Sequence, residues 1–194
     1  MSISKRVAEA IDQMNAGDPE SALFQICSVL EATATQFYGK KGRGSYKDFI
    51  HDNLDLITRI ALGPRILNIN LAYDLNKNLP PGEKPVPSNA DGTFPIQAIF
   101  YHAVRCSLYH GAKLPADLIF NDKRLIEVQS DKLILPSSLV SGLIYSVVAC
   151  PINAAERIAD TYGVDIGGWK IPVNSLWGKR AELVALLAAI DAFF

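Results

Sequence analysis

The sequence predicts a mainly α-helical protein with a small antiparallel β insertion around residues 117–135. Three observations carry that expectation. Apolar residues recur at helical spacing through most of the 194 residues. Helix-starting residues, Asp18-Pro19 and Ser45 among them, stand just before those stretches. Alternating apolar runs with turn signals occur at DLIFNDKRLIEVQSDKLIL, residues 117–135.

Composition sets the outer limits. The chain is 49% hydrophobic and 20% charged, enough for one domain with a full core. The expectation is a single domain over 1–194 with a C-terminal helical extension at about 174–194. A net charge of -1 gives no global positive field, so any nucleic-acid contact must be a local patch. Cys27, Cys106 and Cys150 are odd in number and form no CxxC, as reduced thiols of a cytoplasmic protein do. Glu9 and Asp12 interrupt any apolar signal core near Met1, and no run approaches the ~18 apolar residues of a membrane span.

Residues 4–16 predict a first helix, with Ser4 as N-cap and Val7, Ile11 and Met14 on one face. Asp18-Pro19-Glu20 starts a second, with an N-cap acid, proline at the first position and an acid in the first turn. It runs to about Tyr38, with Leu23, Ile26, Cys27, Leu30, Ala34 and Phe37 as its apolar stripe. Glu31 sits at the edge of that stripe. It either carries its carboxylate to solvent or partners Arg105.

Gly39 to Gly44 form a basic, glycine-rich loop. Lys40, Lys41 and Arg43 with free backbone amides can hold a phosphate there, or the loop is a solvated turn. Ser45 opens a third helix that continues to Ile60 and ends at Gly63-Pro64. Asn76 to Gly92 is proline-rich and irregular, a candidate lid or specificity loop. After the β insertion, Ser137 or Ser138 caps a helix that Pro151 ends, and Ala154–Ile158 is expected to be helical again. Residues 162–172 are expected to be irregular, and Asn174 or Ser175 starts a last helix. Trp169 and Trp177 are expected to pack at its base.

The densest chemistry lies in FPIQAIFYHAVRCSLYHG, residues 94–111, read as one amphipathic helix. It carries His102, Arg105, Cys106, Ser107, Tyr109 and His110. A metal reading fails on geometry: His102 and His110 are eight residues apart, about 12 Å along a helix, whereas zinc ligands lie at about 2.0–2.3 Å. No metal and no other cofactor is expected. Acid–base chemistry on phosphate fits better. A histidine moves a proton near neutral pH, and an arginine holds phosphate oxygens in a fork. Together they suffice for metal-free RNA cleavage by the ribose 2′-OH, with Arg105 stabilising the developing charge. Five residues turn about 140° around an ideal helix. Arg105 then points away from the core that His110 borders. The structural alternative is a salt bridge at Arg105 and a helix-end hydrogen bond at His110.

YHAVRCSLYHG, residues 101–111, resembles the signature of the HEPN superfamily: an arginine, four to six residues, then a histidine late in a helix. SALFQICSVLEATATQFYGKKGRGSYKDFI (21–50) resembles the helix beside the signature, its basic loop and the next helix. KLILPSSLVSGLIYSVVACPIN (132–153) resembles the strand and helix that follow in some bacterial HEPN-like proteins. The resemblance implies an up-and-down bundle of four to five helices. It also implies a homodimer with a composite cleft, and metal-independent endoribonuclease activity of the toxin–antitoxin or antiphage kind. Arg105 and His110 carry over as the motif pair, with Cys106, Ser107, Tyr109, His102 and Glu31 as possible supporting residues. The expected partners are a second copy, RNA, or a cognate antitoxin. Active members commonly have Asn, Asp or His after the arginine, where this chain has Cys106. That departure motivates two alternatives: a non-catalytic module binding RNA, a nucleotide or a protein, and a structural dimerisation domain.

Overall fold

The computed structural model describes residues 2–63, 65–79, 84–108, 114–166 and 168–191. Helix α1 (Ile3–Asn15) is capped by Ser2, whose side chain accepts from Lys5 N, two residues before the expected Ser4. It buries Val7, Ala10 and Ile11 along α2 (Pro19–Tyr38). Asp18 caps α2 by accepting from Ser21 N, and Gly39 ends it at φ +66°, a left-handed conformation that glycine adopts without strain. Leu23, Ile26, Cys27, Leu30 and Ala34 are buried as the stripe requires. Phe37, expected beside them, is 48% exposed.

The helix expected from Ser45 to Ile60 is two helices, α3 (Arg43–Asp52) and α4 (Leu54–Leu62). Asn53 makes the break. Its amide donates to Phe49 O, and its carbonyl accepts from Arg180 at the start of the last helix. The innermost helix is α6 (Ser138–Val148), buried at every residue from Leu139 to Val148. A helix apolar on all sides belongs in a core. It packs against α4 where Gly142 meets the Ile57 backbone.

Around these helices lie three small sheets. Strands β1 (Asn70–Leu71) and β2 (Phe94–Pro95) close the 72–93 loop. Strands β3 (Leu118–Asn121), β4 (Glu127–Gln129) and β5 (Lys132–Pro136) form the second sheet, with β5 in the centre. The β4–β5 hairpin turns through Ser130 and Asp131, both at positive φ as a tight two-residue hairpin requires. Strands β6 (Gly163–Ile166) and β7 (Trp169–Pro172) pair antiparallel, and the Tyr145 hydroxyl of α6 donates to Ile171 O at 2.7 Å.

This architecture corrects the expected fold. The chain is not an up-and-down bundle of four to five helices. Among the described residues there are seven helices and seven strands, a mixed α/β arrangement. Strands of two to five residues are too short to show a period of two. The insertion is not purely antiparallel either: β3 runs parallel to β5, because the chain leaves β3 and enters β4 on the far side of β5. Residues 163–166 and 169–172, expected to be irregular, pair as strands β6 and β7. Residues 154–158, expected to be helical, are turn and coil. The last helix, α7 (Arg180–Asp191), begins after Gly178 rather than at Asn174 or Ser175. Trp177 is buried beside it, while Trp169 on the hairpin is 53% exposed. Among the described residues no helix is long and apolar enough to cross a membrane.

Candidate functional site

Of the segment 94–111, the described residues 94–108 do not form one regular α-helix. A short α5 (Ile96–Ile99) passes into π-helical turns over Phe100–Cys106, and Ser107 and Leu108 continue helically. π turns are rare, occur mostly as single-turn insertions, and are frequent at functional sites. The 100°-per-residue wheel used for the sequence therefore does not hold across Arg105. Phe100, Ala103 and Val104 are buried, and the widened turns carry Arg105 towards α2.

There Arg105 meets Glu31. Its Nη2 lies 2.9 Å from Oε1 and 2.9 Å from Oε2, and its Nε lies 3.3 Å from Oε2. The arginine side chain is 16% exposed and the glutamate 36%. Of the two readings of Glu31, the structure has the partner. Burial works against the Arg105 charge. The Glu31 carboxylate outweighs it and holds the guanidinium above its ordinary range. The guanidinium also lies over the Tyr101 ring, 5.5 Å from its centroid, within cation–π reach.

An aromatic and thiol layer backs this pair. The Tyr46 ring meets Tyr101 edge-on at 5.7 Å, and the Tyr101 ring meets His102 edge-on at 5.0 Å. The Tyr46 hydroxyl donates to Cys27 Sγ at 3.5 Å. Burial pushes the Cys27 thiol up to about 12 and the Tyr46 hydroxyl well above its usual value. Both groups are therefore neutral at physiological pH.

In front of the pair lies a groove of about 570 Å³ along the outer face of α2. Phe24, Cys27, Ala32 and Leu108 supply apolar wall; Ser28, Thr35 and Gln36 are neutral and polar; the paired Glu31 and Arg105 form part of the wall together. Arg6 stands at one end, held by Glu9 at 3.2 Å and by Gln25. Lys41 stands at the other.

The sequence-predicted residues distribute as follows. Arg105 and Glu31 share the groove wall. His102 and Cys106 are half-buried in the π turns and Ser107 just after them; none of the three lines the groove. Tyr109 and His110 lie outside the described residues. The three cations of the basic loop separate: Lys40 pairs with Asp48 at 3.6 Å, Arg43 opens α3 at the surface, and Lys41 reaches the groove. Among the described residues no cluster of three His, Cys, Asp or Glu is placed to hold a metal ion. Sequence reasoning missed Arg6, Phe24 and Leu108. The available signal was Phe24, an aromatic standing off the apolar stripe of α2.

A family model described as Rv1289 matches residues 2–192. No curated protein and no solved structure matches the chain.

Proposed function

The chain belongs to the Rv1289 family, and we propose that it is a binding module whose groove along α2 takes an anionic organic ligand, with Lys41 facing the acid group. The observation that carries this reading is the Arg105–Glu31 pair on the groove wall. A group that stabilises a transition state must be ready for the charge as it develops. The Arg105 fork is instead filled by a carboxylate of its own chain, so it shapes and polarises the wall. A nucleotide is the ligand class nearest to the resemblance, since it joins a phosphate to an organic body. Calorimetric titration of AMP into the wild type and Lys41→Glu tests the reading. Saturable binding that the variant loses supports it; a wild type that binds neither AMP nor an apolar organic acid sinks it. The three free cysteines support a cytoplasmic setting.

The second reading is metal-independent RNA cleavage by a HEPN-like homodimer through Arg105 and His110, with RNA or an antitoxin as partner. The π turns favour it, because such turns often mark functional sites and these bear Arg105. RNA incubated in EDTA with the wild type and with His110→Ala decides. Cleavage to 2′,3′-cyclic phosphate ends, lost in the variant, would establish this reading over the first.

A further inference from the structure

The groove has a polarity of its own. From Phe24 to Gln36 it follows twelve residue steps of α2, about 18 Å at 1.5 Å per step. Its volume of about 570 Å³ falls in the range of small-molecule sites, roughly 300–1,000 Å³. Of the three cations that line it among the described residues, two are already engaged: Arg105 by Glu31, and Arg6 by Glu9 and Gln25. Among the described residues Lys41 makes no ion pair. One end of the groove thus presents an uncompensated ammonium. The other presents Phe24, a large aromatic left 42% exposed. Between them Ala32, Cys27 and Leu108 offer apolar wall, and the Arg105–Glu31 pair, close to neutral, draws no second negative charge.

We propose that the groove selects an amphipathic organic acid, its head group on Lys41 and its apolar body laid over Ala32 and Leu108 to Phe24. This rests on the groove being a ligand site and adds the class of ligand. Charge complementarity fixes the head at one end, and burial of Phe24 rewards a tail that reaches the other. A polyanionic strand suits the groove less well, because midway along its path the Arg105 fork is already filled by Glu31.

Calorimetric titration of the full chain with decanoate, kept below its micelle concentration, tests this against AMP as the polar comparison. Wild type, Lys41→Glu and Phe24→Ala are compared. Both side chains are exposed, so both variants are expected to melt within a few degrees of wild type. The expected result is one saturable decanoate site, at least about tenfold tighter than AMP and weakened about tenfold by either substitution. Binding of AMP without binding of decanoate overturns the ligand class and leaves the binding module standing. Decanoate binding that neither substitution weakens lies elsewhere and also overturns it. Absence of binding by both ligands overturns the class and the module together.

Discussion

Arg105 lays its guanidinium across Glu31, with Nη2 2.9 Å from each carboxylate oxygen, and so joins the π turns to the middle of α2. Seventy-four positions separate the two residues in sequence. The pair fixes one wall of the groove and sets its charge close to neutral.

Because the pair is partly buried, cutting either partner is expected to cost more than a surface ion pair and less than a core one. Arg105→Ala and Glu31→Ala should each lower stability by about 1–2 kcal/mol. The double variant should cost less than the two summed, since the second truncation removes a group already left without its partner. Arg105→Lys keeps the charge and loses the fork, and should fall between wild type and Arg105→Ala. Urea unfolding of the four variants measures this.

Gly142 lets α6 lie against α4. A Cβ built there meets Ile57 O at 2.6 Å and Ile57 Cα at 3.0 Å, both backbone atoms that cannot rotate away. Gly142→Ala should destabilise by about 2–3 kcal/mol, although alanine is the better helix former. A variant as stable as wild type in denaturant unfolding would refute this close approach of the helices.

Much of the helical frame was legible in the sequence. Asp18-Pro19 and Gly39 bound α2 because capping chemistry is local and leaves a mark on particular residues. The apolar run after Ser138 marked the core helix by its composition alone, since the Ser137 and Ser138 hydroxyls donate to Asn121 O and Ala61 O instead of capping it. The sheets were not legible. β1 and β2 are two residues each, and the β6–β7 hairpin hides among glycine and proline. Nor was the π segment, since an apolar pattern does not distinguish an i→i+5 bond from an i→i+4 bond over two turns. In the site, Glu31 was one of two readings, and the structure decided it. The separation of Lys40, Lys41 and Arg43 depends on which cation Asp48 captures, a tertiary fact with no local signature.

Alkaline pH should destabilise the fold. Burial keeps the Cys27 thiol protonated up to about 12 from an ordinary 9.0, and raises the Tyr46 and Tyr145 hydroxyls. In the unfolded chain these groups ionise earlier. The stability they contribute is therefore fully present below about pH 9 and is lost as pH rises towards their folded values. Each such group should add a slope of about 1.4 kcal/mol per pH unit. Denaturation between pH 8 and 10.5 should show the decline, and Cys27→Ser should reduce its slope by about one group's share.

Asn153 is buried and bridges two helices: its amide donates to Thr33 Oγ1 at 3.1 Å and to Val147 O at 2.8 Å. Asn153→Ala strands both acceptors away from water. It should cost about 1–3 kcal/mol, visible as a lower melting temperature without loss of helical signal below the transition.

The most direct test of the account asks where a ligand sits. Backbone and methyl chemical shifts of the isotope-labelled chain, followed during titration with decanoate, answer it. The account predicts that the shifts concentrate around the groove, at Phe24, Ser28, Ala32 and Thr35 of α2 and at Lys41 and Leu108. Shifts confined to the β3–β5 sheet or the β6–β7 hairpin, or none at saturating ligand, would contradict it.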